Sequence, residues 1–160
     1  MDENIRSLSR DDAEGTAVVA HRAGVVLALV AAAVLTVGLH AMAVARAVVN
    51  LPMTAAAVAW ANVHDGDCSV QGDLTVACAD MTGGYANAAT TVGNVWLYGE
   101  LDGSDRHRHE SRHADQWAMF GGGPTFPALY GAESLRTRGD FYDNVFERWA
   151  GLHDGGYRAR

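Results

Sequence analysis

The sequence predicts an α+β protein: one N-terminal transmembrane helix, then a small extracytoplasmic domain of short strands, a hairpin and two helices. Three observations predict this. Residues 24–45 form a long apolar run, GVVLALVAAAVLTVGLHAMAVA, interrupted only by Thr36 and His40. From residue 62 onward the chain becomes Gly-rich and polar, and β-prone stretches there precede helix-prone ones. The only two cysteines, Cys68 and Cys78, flank a turn signal. The chain has 160 residues, which leaves about 100 for a soluble domain, a small core that gains from a staple or a metal. A formal net charge of −7 gives no electrostatic support to a nucleic-acid partner.

Residues 1–22 are polar and rich in acidic residues, and read as a largely disordered cytoplasmic tail. Residues 23–50 read as the membrane helix. At about 1.5 Å per residue, the apolar run reaches roughly 33 Å, enough to cross a hydrocarbon core. Arg6, Arg10 and Arg22 precede it and only Arg46 follows closely, which places the N-terminus inside and residues 51–160 outside. A cleaved signal peptide is the rival reading, since Ala41-Met42-Ala43 and Ala43-Val44-Ala45 are small-residue patterns. Pro52 is expected to end the helix, and residues 53–63 to form a short helix or linker, with Trp60 at the interface.

Beyond that point the elements follow in order. The stretch CSVQGDLTVAC reads as strand, turn and strand, which brings Cys68 and Cys78 within disulfide reach. Residues 90–98 are β-branched and aromatic and hold at least one strand. Ser104 or Asp105 offers an N-cap for a helix running to about residue 120, where Gly121, Gly122, Gly123 and Pro124 stop it. A short helix is expected over 127–135 and a last one over 140–152.

The chemistry sits on the helix after residue 104. In His109-Glu110-Ser111-Arg112-His113 the histidines are four apart, so both imidazoles share one helix face and can hold one metal ion. Glu110 lies about 100° round the helix and reaches a water at the metal rather than the metal. A third protein ligand is needed. Gln116 and Met119 stand where a metzincin would carry Gly and His, which excludes that class. Glu147, between Phe146 and Trp149 on an apolar helix face, is favoured over Glu133, which lies in a looser stretch. Tyr130, Tyr142 and Tyr157 are candidate oxyanion donors, and His107 and His153 candidate supporting groups.

Three stretches together resemble a known family. They are Thr90-Thr91-Val92-Gly93-Asn94-Val95, then His109 through Trp117, then Asn144-Val145-Phe146-Glu147-Arg148-Trp149-Ala150. Over roughly residues 78–152 the chain resembles the short gluzincin-type zinc-peptidase domains of bacterial membrane-associated proteins. The bulky Arg112 and the small size of the domain depart from that pattern. The resemblance implies a zincin-like fold and a Zn2+ cofactor held by His109, His113 and Glu147. It also implies Glu110 as general base in a membrane-anchored hydrolase, with a peptide as substrate and membrane lipid around the anchor. The alternative is a non-catalytic accessory or assembly subunit of a larger membrane complex, with a structural or relic zinc site. Ala31, Ala32, Ala33 and Gly38 would then allow close helix packing.

Overall fold

The computed structural model describes residues 2–86, 89–100 and 106–158. They form α1 (Asp2–Val63), β1 (Asp67–Val70), β2 (Val76–Ala79), β3 (Ala89–Val92), β4 (Val95–Tyr98), α2 (His107–Met119), α3 (Thr125–Arg136) and α4 (Val145–Ala150). The chain divides into two compact units, Met1–Ala41 and Met42–Arg160. The mixed α+β class is as expected. The caps expected at Ser104 or Asp105 lie outside the described residues.

The first unit is helix. Its segment from Leu27 belongs to a span long and apolar enough to cross a membrane. Leu27, Leu29, Val34, Leu35, Val37 and Leu39 are all exposed. Two expectations fail here. The polar lead is helical from Asp2 rather than disordered: beside a long helix already nucleated, further residues cost only propagation, and the lead contains no Pro. Nor does α1 stop at Pro52, which lies inside it. Arg46, Asn50, Ala57 and Ala61 are buried on one stripe at helical spacing, and Pro52 faces away. Packing of that stripe offsets the roughly 3 kcal/mol an interior proline costs.

In the second unit, a four-stranded sheet in the order β1-β2-β4-β3 is covered by α1 on one face. Strands β1 and β2 are antiparallel with Cys68 opposite Cys78, and the two are disulfide-bonded as expected. Strand β4 pairs parallel to β2 and antiparallel to β3. The run 90–98, expected to hold at least one strand, holds two: it is a hairpin turned at Gly93 and Asn94. Alternation sends Val95 and Leu97 into the core under Ala57 and Ala61. It turns Thr91 and Trp96 to the opposite face, where α2 lies: the Trp117 indole donates to the Thr91 carbonyl at 2.9 Å.

A second core of Trp117, Phe126 and Phe146 joins α2, α3 and α4. The α2 C-terminus closes with Gly122 N–H on the Trp117 carbonyl. Gly122 has φ +65°, and a Cβ there would lie 2.2 Å from the Val49 carbonyl oxygen, so only glycine lets this turn meet α1. The last helix is shorter than 140–152 because it is capped from both sides. The Asn144 side chain accepts from the Phe146 and Glu147 N–H groups, and Gly151 ends the helix at φ +92°.

Candidate metal centre

Helix α2 carries His109 and His113 one turn apart, and α4 points Glu147 at them. All three are buried, and their ligand atoms lie within 4.8 Å of one another. His109 Nε2 is 3.2 Å from one Glu147 carboxylate oxygen, and His113 Nε2 is 3.5 Å from the other. The two Nε2 atoms are 3.1 Å apart.

Hydrogen bonds behind the rings decide what those atoms are. His109 Nδ1 faces the Gly151 carbonyl at 3.1 Å. A carbonyl can only accept, so Nδ1 carries the proton. His113 Nδ1 faces Gln116 Oε1 at 2.8 Å, and Gln116 Nε2 donates to the Phe146 carbonyl at 2.9 Å. That second bond fixes which end of the amide is oxygen, so His113 Nδ1 is also a donor. In the neutral rings both Nε2 lone pairs then point at each other and at a carboxylate. Three acceptors converging in a buried space could hold a cation among them. This donor set of two imidazoles and one carboxylate fits a divalent transition metal.

The Glu147 carboxylate also dominates the electrostatics of the group. Burial by itself would raise the Glu147 carboxyl, but His109, His113 and the Tyr130 hydroxyl outweigh it and hold the group well below the usual carboxylate range. Burial opposes a charged His113 ring, yet Glu147 and then Glu110 lift its pKa above the ordinary value. The Tyr130 and Tyr157 hydroxyls both donate to Glu147, Tyr157 at 3.0 Å. Burial and Glu147 push both phenols well above their usual range, so they stay protonated as donors.

Glu110 is buried and lines the same cavity, of about 470 Å³, as the three grouped residues. The Thr91 hydroxyl on β3 donates to its carboxylate at 2.6 Å. Strand β3 forms the sheet edge and lines this cavity as well.

Other residues named from the sequence lie elsewhere. Glu133 is turned to Arg136 and to the Val145 N–H, away from the imidazoles. The Tyr142 hydroxyl donates to the Arg158 carbonyl. His107 bonds the Thr75 hydroxyl, and His153 is exposed. Sequence reasoning missed Gln116 and Thr91, which orient His113 and Glu110. Gln116 had a readable signal, since it follows His113 by three on the same helix face.

Comparison of the chain with known protein families, with curated proteins and with solved structures finds no match.

Proposed function

We propose that the protein is a membrane-anchored zinc-dependent hydrolase, acting on peptides outside the cytoplasmic membrane. The observation that carries this reading is the convergence of His109, His113 and Glu147, with both imidazoles turned by hydrogen bonds to offer Nε2. The three would hold the ion. When bound, zinc supplies Lewis-acid polarisation of a substrate carbonyl and of water. Glu110, oriented by Thr91, accepts the proton of the attacking water and returns it to the leaving amine. The outer edge of β3, apart from the Thr91 carbonyl that Trp117 occupies, offers backbone groups to an extended peptide. The apolar span of α1 supports an anchor, and the Cys68–Cys78 disulfide supports an oxidising compartment for the second unit.

The test pairs metal content with cleavage. His109→Ala, His113→Ala and Glu147→Ala should each lower zinc occupancy by elemental analysis, while Glu133→Ala should not. Glu110→Gln should keep zinc and lose about 10²–10⁴-fold in cleavage of a peptide library. A wild-type protein with no stoichiometric metal under zinc-replete conditions would sink the reading. If zinc is bound, nothing is cleaved and Glu110→Gln still supports the cellular role, the accessory-subunit alternative holds instead.

A further inference from the structure

Arg106 lines the cavity that holds His109, Glu110 and Glu147, and it is the one cationic side chain in that wall among the described residues. It lies three positions before His109, on the same face of the turn entering α2. Gly156 has φ +76°, and a Cβ there would come 3.3 Å from Arg106 Nη2. At Gly155 a Cβ would come 2.9 Å from His109 Nδ1. The two glycines thus form one wall against which the guanidinium and the metal-side imidazole are both seated.

What distinguishes Arg106 is that it is half-buried and yet has no carboxylate partner among the described residues. Arg46, Arg108, Arg112 and Arg136 each have a carboxylate within 4.0 Å. Arg138, Arg148 and Arg158 have none among the described residues, but they are exposed to solvent. Arg106 is half-buried, and its side chain has neither an ion pair nor a hydrogen bond among the described residues. The two carboxylates in its cavity are engaged elsewhere, Glu110 by Thr91 and Glu147 by two tyrosines and two histidines. A partly desolvated guanidinium facing a cavity is stabilised when a ligand brings the opposite charge, and its planar fork matches a carboxylate through two parallel hydrogen bonds.

We infer that Arg106 is a specificity-determining residue that receives a carboxylate of the bound peptide. The inference rests on the hydrolase reading above for the identity of the ligand as a peptide. The carboxylate is either the peptide's C-terminus or an Asp or Glu side chain. Apolar side chains of the same wall, Phe126 and Phe141, take the neighbouring residue.

The experiment uses the full chain in detergent, zinc-loaded, in four forms: wild type, Arg106→Gln, Glu110→Gln and the double variant. The probe is a library of N-acetylated hexapeptides, prepared as free acids and as C-terminal amides. Zinc content should be the same with and without Arg106, because it is not a ligand. On wild type, KM for the preferred set should rise about tenfold or more in Arg106→Gln with kcat little changed, the size expected for losing a charged hydrogen bond. Arg106→Lys should restore part of it. Preference for free acids over amides assigns the C-terminal carboxylate, and preference for Asp or Glu within the amide set assigns a side chain. Retention of the same libraries on immobilised Glu110→Gln provides a reading that needs no turnover. If wild type cleaves nothing, the hydrolase reading falls, and a carboxylate-dependent retention lost in the double variant still upholds Arg106. Retention or cleavage indifferent to carboxylates, an equal loss on all peptides in Arg106→Gln, or no retention of either library overturns the inference.

Discussion

At the scale of single residues, the candidate metal centre depends on groups outside the His109, His113 and Glu147 set. Gln116 reads backbone on one side and imidazole on the other: its amide nitrogen is held by the Phe146 carbonyl, so its oxygen must face His113 Nδ1. Gln116→Leu keeps the three ligands and removes that acceptor. Zinc affinity should fall about 10–100-fold, read by competition with a chromophoric chelator, while Gln116→Glu, which retains an acceptor, should lose less. Unchanged affinity in Gln116→Leu would mean the ring orientation is set by packing alone. The pair His109 and His113 was legible in the sequence because four-residue spacing on a helix fixes a shared face. Gln116 entered that reading only as a mismatch to the metzincin pattern. Its place beside His113 follows from their three-residue spacing, but which end of its amide faces the ring depends on where Phe146 ends up, 30 residues away, and no local periodicity carries that information. Tyr130 and Tyr157, considered as oxyanion donors, both donate to Glu147, which needs two more elements to be placed before it can be seen.

At the scale of elements, α4 has six residues, too few to be stable alone, yet it must hold Glu147 in register with α2. Asn144 caps it, and the Glu133 carboxylate accepts from the Val145 N–H while pairing with Arg136. Arg136 and then the Val145 N–H hold the Glu133 carboxyl down to about 2, against an ordinary 4.5. A carboxyl depressed on folding adds stability that is complete above the ordinary value and is lost as pH falls through the folded one. The difference in Tm between wild type and Glu133→Gln should therefore be present at pH 6 and shrink between about 4.5 and about 2. It should be small, since an exposed pair is screened by solvent. A gap constant across that window would show that Glu133 acts without its charge. Segment 140–152 was read as one helix because its apolar spacing continues through both ends. The Asn144 cap that starts α4 late is a side-chain choice that periodicity cannot register. The Gly93 turn in residues 90–98 was hidden likewise, since both arms of the hairpin share one β propensity.

At the scale of the whole molecule, α1 changes its surroundings along its length. Its apolar stretch is exposed before residue 42, whereas beyond it Arg46, Asn50, Ala57 and Ala61 are buried within the second unit. Asn50 donates to the Ala114 carbonyl at 2.9 Å, directly after His113. Arg46 bonds the Ser111 hydroxyl and the Asp115 carboxylate, and reaches the Asp73 carboxylate at 3.5 Å. The helix bearing both histidines is thus tied to α1 at three successive points. A fragment starting at residue 51 would lose all of them. It would remove the Asn50 bond to the Ala114 carbonyl, a net of about 0.5–1.5 kcal/mol, and would free two acidic side chains whose partial exposure makes each worth less. A domain of this size has only about 5–15 kcal/mol of stability to lose. Fragment 42–160 should therefore unfold in one cooperative transition and bind zinc stoichiometrically, while fragment 51–160 should melt at a markedly lower temperature and retain less metal at equal chelator concentration. Arg46→Met in the longer fragment separates the ties: it keeps the helix and the Asn50 bond, so its melting temperature should fall between the two. Equal melting temperatures for fragments 42–160 and 51–160 would show that the buried stripe before Pro52 contributes nothing, and that α1 is only an anchor for a domain complete without it.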